Sequence, residues 1–175
     1  MSTLTRYEVP RAHVLAVRAV GSLANVHLIA QHAGELGVPF RFACALFEQE
    51  SGGRNVYGSD VGGFMAGYPG QVTKDGYDVF YWHVVTLGRT SNGVGPSQIT
   101  WRGYHIEART EGWQLWHPSD NIRFGLRVLV ENRGRSDDWR EAFRRYNGSG
   151  PAAESYADKA MAKAAAWSRV LGSMS

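Results

Sequence analysis

The most regular pattern of apolar positions in the chain predicts a helix over residues 39–50. Three apolar side chains at helical spacing form its buried face: Ala43, Leu46 and Phe47. Glu50 follows on that same face, which places a carboxyl group on the apolar side of the helix end. Glu48 lies roughly 200° further around the helix and is predicted to face water. Two glycines, Gly52 and Gly53, then end the helix.

Apolar spacing predicts helices over most of the remaining chain as well. They cover residues 25–36, 78–87, 118–134, 139–146 and 152–171, with a partly helical segment near residues 12–20. We expect Ser119 or Asp120 to cap the helix over 118–134 and Ser136 or Asp137 to cap the helix over 139–146. The glycine-rich stretch 52–76 is predicted to be a loop with a short β-hairpin.

These elements predict a mainly α fold of about seven helices, in which a small loop or β-hairpin lobe flanks a cleft. Twenty-one aromatic residues, several in loop contexts, favour a cleft lined with rings that stack on flat ligand faces. A length of 175 residues fits one domain. We assign it to residues 23–175 and interpret residues 1–22 as a leader or interdomain linker.

The overall composition favours a soluble globular protein. The net charge is +3, and the densest basic region, residues 133–145, is interrupted by acidic residues, which favours a solvated helix face over weak attraction to an anionic polymer, whether cell wall or nucleic acid. No signal peptide and no apolar run long enough to span a membrane are present. The single cysteine, Cys44, lies within the apolar helix and is interpreted as a core residue.

Glu50 is the first candidate for chemistry. Desolvation favours the neutral form of a carboxyl group, so its pKa should be raised and it becomes a candidate proton donor. A capping or salt-bridged glutamate is the structural alternative, and the spacing alone does not separate the two.

Three further motifs follow Glu50-Ser-Gly-Gly along the chain: Gly95-Pro-Ser-Gln98, Asn121-Ile-Arg-Phe-Gly125 and Tyr146-Asn-Gly-Ser. In this order and at these separations they resemble the lysozyme-like superfamily of soluble lytic transglycosylases and goose-type lysozymes, over about residues 24–160. The chain departs from the family's Gly-Leu-Met-Gln turn and its Tyr-Asn-Ala-Gly loop.

The amino-acid sequence around two of these motifs resembles one branch of that superfamily more specifically. Residues 50–60 and 90–101 resemble the glycosidase domain of endolysins from phages that infect actinobacteria. The resemblance implies peptidoglycan glycan strands as substrate and neighbouring peptidase and wall-binding domains in a longer chain. It also implies a monomer in the host cytoplasm that reaches the wall through a pore made by a partner.

The resemblance assigns a role to each matching residue. Glu50 matches the catalytic acid, which protonates the glycosidic oxygen between N-acetylmuramic acid and N-acetylglucosamine. The substrate-binding residues implied are Ser51, Gln98, Thr100, Tyr146 and Asn147, of which Tyr146 would bond to or pack on Glu50. Structural alternatives remain, since Gln98 can satisfy the backbone of its own turn and Tyr146 can be a core ring.

A second carboxylate distinguishes two reactions. An inverting hydrolase needs a base that holds a water molecule, whereas a lytic transglycosylase does not, because a muramic acid hydroxyl closes an anhydro ring. Asp60, ten residues past Glu50, is the candidate base, with Asp75 and Asp78 behind it; an Asx-turn role for Asp60 and a helix-capping role for Asp78 are the alternatives.

Other classes of function stay open at this point. A non-catalytic glycan-binding or virion module of the same fold, and a chitinase, would share many of these residues. The six histidines show no His-Glu-x-x-His or comparable spacing, so no metal site and no cofactor are predicted, and a metal-dependent peptidase is disfavoured.

Overall fold

The computed structural model describes residues 6–172, and α-helices make up most of them. Eight α-helices are found in this part of the chain: α1 Arg11–Val20, α2 Val26–Leu36, α3 Phe40–Glu50, α4 Lys74–Tyr81, α5 Arg102–Thr110, α6 Pro118–Gly134, α7 Trp139–Asn147 and α8 Pro151–Gly172. A π-helical turn, Trp82–Thr86, continues α4. The prediction of a mainly α protein is confirmed.

One predicted helix start, that of α4, and three predicted caps are wrong, each for a local reason. Helix α4 begins at Lys74 behind a Thr73 cap, so Asp78 lies inside the helix, where it pairs with Lys74 instead of capping. His117 precedes α6 and leaves Pro118 in its first turn, a position that suits a residue without an N–H. Asp138 caps α7 by accepting hydrogen bonds from two backbone N–H groups.

The predicted β-hairpin between residues 52 and 76 is not formed. In the described part of the chain, pairing is limited to three isolated antiparallel bridges, Val56 with Gln71, Tyr57 with Val94, and Val94 with Ile99. Glycines in left-handed conformations, including Gly62 and Gly67, interrupt the extended backbone that a ladder needs. The segment is therefore a loop pinned to residues 92–99.

The larger of two apolar clusters joins α1, α2, α3, α6, α7 and α8. Fully buried side chains from all six helices meet there, among them Val17, Phe47, Leu126 and Phe143. Val9 and Val17 belong to this cluster, so the segment predicted to be a leader packs on the domain from residue 9 onward. The first five residues of that predicted leader lie outside the described residues.

A second apolar cluster lies under the loop, α4, α5 and the middle of α6. Its fully buried members include Phe80, Leu115 and Phe124. Tyr146 on α7 packs against both clusters. The space beside this residue, where the clusters adjoin, therefore receives side chains from both.

Helix α8 lies against α3 and partly buries Glu48, which was predicted to face water and remains 29% exposed. The two carboxylate oxygens of Glu48 accept hydrogen bonds from Lys163 Nζ and Trp167 Nε1, each at 2.7 Å. The next residue, Gln49, donates to the backbone carbonyl of Tyr156 at 2.8 Å. The polar side of α3, at its C-terminal end, is therefore in contact with helix α8.

No helix within residues 6–172 is both long and apolar enough to cross a membrane.

Candidate active site

A cavity of about 350 Å³ lies where the two apolar clusters adjoin, and Glu50 is part of its wall. We call it the Glu50 cavity. Its lining residues are Glu50, Gln98, Ile99, Thr100, Trp101, Tyr104, Val128, Tyr146 and Asn147. Four residues chosen from the sequence as substrate-binding, Gln98, Thr100, Tyr146 and Asn147, therefore lie with Glu50 around one space.

Glu50 is the last residue of α3, and its side chain is half-buried. Desolvation raises its pKa to about 7, and the charge of Asp60 acts in the same direction. A hydrogen bond from Tyr156 opposes this rise, because it stabilises the carboxylate. At neutral pH a substantial fraction of Glu50 is thus protonated and able to give up a proton.

Tyr156 on α8 donates its hydroxyl to Glu50 Oε1 and was not among the residues predicted from the sequence. Burial, and then the charge of Glu50, raise the pKa of Tyr156 well above its ordinary value, so its hydroxyl stays protonated. Because Oε1 is occupied as an acceptor, Oε2 is the oxygen of Glu50 that can carry a transferable proton.

Tyr146 was expected to hydrogen-bond to Glu50 or to pack on it. In the structure its hydroxyl group makes a hydrogen bond to a different residue. It donates to the backbone carbonyl of Ser97 at 2.8 Å. Burial, and then the nearby Glu50 charge, raise the pKa of Tyr146 well above the usual value. Tyr146 therefore stands beside Glu50 as a neutral cavity wall that also anchors the Gly95–Gln98 turn.

The Gly95–Gln98 turn presents Gln98 and Thr100 to the cavity. Gln98 has a left-handed backbone (φ 48°), and its amide nitrogen donates to the carbonyls of Gly95 at 2.9 Å and Val56 at 3.1 Å. These bonds satisfy turn backbone, as the structural alternative for Gln98 expected, and its side-chain oxygen Oε1 lies against the backbone of Gly58 and Gly93. The exposed Thr100 donates to Gln98 O at 3.0 Å.

Asn121 holds this turn from inside α6 and is completely buried. Its Oδ1 accepts from Ser97 N at 2.8 Å, while its Nδ2 donates to the carbonyls of Val94 and Leu115 at 3.0 and 3.1 Å. One turn later, a Cβ on Gly125 would lie 2.2 Å from Ser97 Oγ. The Asn121–Gly125 motif therefore brings α6 close to the turn that faces Glu50.

Asp60 lies at the edge of the site, on the loop, and is exposed. Its Oδ2 accepts a hydrogen bond from Gly93 N at 2.8 Å. Asp60 Oδ2 and Gln98 Oε1 both lie within 2.6 Å of the point where a Cβ on Gly58 would stand, so they are neighbours. Asp60 is outside the lining of the Glu50 cavity, but near enough for its charge to raise the pKa of Glu50.

The other two predicted binding residues, Ser51 and Asn147, lie in different surroundings from each other. Ser51 is buried, and its hydroxyl donates to the Pro96 carbonyl at 2.8 Å, so it ties the α3 end to the turn and does not face the cavity. Asn147, the last residue of α7, is exposed on the cavity wall.

Larger cavities of about 650 and 570 Å³ lie near the chain start, against residues such as Tyr7, His27 and Arg41. Glu50 is in neither lining, and hydrogen bonds from Gln31 and His32 lower the pKa of Glu35 in the larger one, so size does not single these cavities out as the site of chemistry. Within residues 6–172, no group of three or more His, Cys, Asp or Glu side chains is arranged to hold a metal ion.

Neither a family model, nor a curated protein, nor a solved structure matches this chain.

Proposed function

We propose that this chain cleaves the β-1,4 glycosidic bond between N-acetylmuramic acid and N-acetylglucosamine in bacterial peptidoglycan, on a lysozyme-like fold. The observation that carries the proposal is a half-buried glutamate with a pKa near 7 in the wall of a polar and aromatic cavity. A general acid with that pKa keeps its proton at neutral pH and still transfers it readily.

Glu50 acts as the acid through Oε2. Its proton passes to the glycosidic oxygen as the bond to the anomeric carbon breaks, and Glu50 is left as a carboxylate. The Tyr156 hydroxyl, already bonded to Oε1, stabilises that new charge. The acid and its stabilising donor come from helices α3 and α8, which pack directly on each other.

The attacking group decides between two outcomes. In hydrolysis a water molecule adds to the anomeric carbon and gives its proton to Asp60, with a reducing muramic acid as product. In transglycosylation the muramic acid C6 hydroxyl attacks, its proton returns to Glu50, and an anhydro end is formed. The proximity of Asp60 to Glu50 and Gln98 favours hydrolysis.

The mass of soluble fragments released from purified peptidoglycan tests the proposal. Hydrolytic fragments are heavier by one water than the anhydro fragments of a transglycosylase. Intact walls after prolonged incubation would overturn the proposal and favour a non-catalytic glycan-binding or virion module, and cleavage of chitin oligomers alone would favour a chitinase.

Asp60→Asn is expected to lower the hydrolytic rate by about 10²-fold or more, because an amide cannot accept the proton of the attacking water. The amide oxygen can still accept from Gly93 N, so the loop geometry should be kept. The measurement is reducing-end release from peptidoglycan. Asp137→Asn, at an exposed carboxylate after α6 and outside the cavity lining, is the matched control and should keep the parent rate; an Asp60→Asn rate equal to its rate would remove Asp60 from the mechanism.

Tyr156→Phe is expected to move the alkaline limb of the pH–rate profile to higher pH. In the parent protein activity should fall by about tenfold per pH unit above 7, as Glu50 loses its proton. The Tyr156 bond lowers the pKa of Glu50, so its removal leaves the acid protonated over a wider range.

Tyr146→Phe provides the control for this profile, because the Tyr146 hydroxyl donates to Ser97 and not to Glu50. The alkaline limb of the pH–rate profile of Tyr146→Phe should lie at the same pH as that of the parent protein, whatever the rate of the variant. A limb that moves equally in both variants, or in neither, contradicts the role given to Tyr156.

The placement of this domain within a phage endolysin rests on the resemblance of residues 50–60 and 90–101 to that group. This placement also implies the proposed neighbouring peptidase and wall-binding domains, and release of the protein through a pore made by a partner. Expression of the chain in a bacterial cytoplasm tests this placement, because lysis is expected only when a pore-forming protein is expressed with it.

A further inference from the structure

Trp101 is 64% exposed, more than any other aromatic side chain among the described residues. Water contact over so much indole surface is unfavourable unless something covers it. Trp101 is also part of the lining of the Glu50 cavity, on the short segment between the Gln98 turn and α5. An uncovered ring therefore stands in the wall of the space that Glu50 faces.

The ring is held in place by the chain around it. A Cβ on Gly103 would lie 2.5 to 2.7 Å from three atoms of the six-membered ring, so the indole rests directly on the backbone there. Tyr104 packs on it with ring centroids 4.8 Å apart and planes at 89°. Tyr104 is backed in turn by the completely buried Phe124, at 5.8 Å.

The backbone at Trp101 is fixed as well. Its carbonyl accepts from Tyr104 N at 3.0 Å as α5 begins, and the next side chain, Arg102, donates to the carbonyl of Val85. Little side-chain entropy remains to be lost when a ligand covers a ring held in this way. Trp101 is thus a preorganised apolar surface and differs from a mobile exposed side chain.

A flat apolar surface beside hydrogen-bonding groups matches the chemistry of a hexose. The C–H groups of a β-linked sugar ring form an apolar face, while its hydroxyl and N-acetyl groups point outward from the ring edge. Gln98 and Thr100 line the same cavity within three residues of Trp101, and the Thr100 hydroxyl, which donates to Gln98 O, can still accept a hydrogen bond from such a group.

We propose that Trp101 forms a sugar subsite of the Glu50 cavity, where its indole stacks on the apolar face of an N-acetylhexosamine ring of the glycan strand. The inference rests on the proposed function, because it names how that substrate is held. It assigns Trp101 to binding and leaves proton transfer to Glu50.

The test measures binding without turnover. In the Glu50→Gln background, calorimetric titration with the β-1,4 tetramer of N-acetylglucosamine gives a dissociation constant. Trp101→Ala is expected to raise that constant about tenfold, and Trp101→Phe, which keeps an aromatic face, to raise it only a few-fold.

Two further variants separate stacking from a general structural effect. Trp82→Ala removes another exposed tryptophan, 56% accessible and outside the cavity lining, and should leave the constant unchanged. Gly103→Ala suits helix propensity, but its methyl group displaces the indole and should weaken binding about as much as Trp101→Ala.

Equal affinity of Trp101→Ala and its parent overturns the subsite, and so does a parent that does not bind the tetramer. The proposed function is judged separately, by product masses from peptidoglycan with Glu50 intact. A subsite that fails while those products are found would leave the cleavage assignment standing.

Discussion

Replacing Glu50 with Gln is expected to lower the rate of peptidoglycan cleavage by about 10²–10⁴-fold. The amide has nearly the same shape and still accepts the Tyr156 hydrogen bond, but it has no proton to give to the glycosidic oxygen. Wall-clearing and fragment release measure the effect. Glu48→Gln, two residues earlier on α3, removes a carboxylate that faces α8 and not the cavity, so it should keep the parent rate.

The Glu50→Gln substitution should also stabilise the folded protein at high pH. Folding raises the pKa of Glu50 from 4.5 to about 7, so the folded state binds this proton more tightly than the unfolded state does. Stability is therefore lost as the pH rises from about 4.5 through 7, and the Gln variant avoids this loss.

Above pH 7 the variant should be more stable than the parent by up to about 3 kcal/mol, with little difference at pH 4. Urea unfolding at both pH values measures the free energy of unfolding. A variant that is less stable than the parent at pH 8 would show that Glu50 is held as a favourable carboxylate, as in the salt-bridged alternative, and would remove the basis for its role as the acid.

Asn121→Ala is expected to destabilise the fold by about 3–5 kcal/mol. The change leaves Ser97 N and the carbonyls of Val94 and Leu115 buried without this partner, and each such group costs roughly 1–3 kcal/mol. For a domain of this size that corresponds to a fall in Tm of roughly 10 °C. Differential scanning calorimetry provides the measurement.

Asn132→Ala is the matched control for this substitution. Asn132 is 5% exposed and lies on the same helix, but it takes no part in the hydrogen bonds that hold the Gly95–Gln98 turn. Its effect on Tm should be clearly smaller. Similar losses in the two variants would mean that the turn gains no special support from Asn121.

Helices with a continuous apolar stripe were predictable from the sequence, and α5 was not. Helix α3 carries Ala43, Leu46 and Phe47 on one face, and all three are fully buried. The buried face of α5 consists of His105 and Ala108, a polar ring and a small side chain that give no apolar period. Periodicity therefore identifies a helix only when its contacts are made by large apolar groups.

The candidate site was partly predictable for a related reason. Glu50, Gln98 and Tyr146 lie at turns or helix ends, where local motifs are visible in the sequence. Tyr156 contacts Glu50 across 106 residues from the second turn of an alanine-rich helix, and no local pattern marks it. The packing of α8 on α3 produces this contact, and the same packing partly buries Glu48.

The docking of α8 on α3 also sets the order in which the site can assemble. Three consecutive residues at the end of α3, Glu48, Gln49 and Glu50, are each bonded to α8, which begins at Pro151. While a ribosome is still making residues before this helix, the α3 carboxyl groups have no such partners. The contacts that surround the proposed proton donor can therefore form only after α8 has been synthesised, so Glu50 of a nascent chain lacks its Tyr156 partner until then.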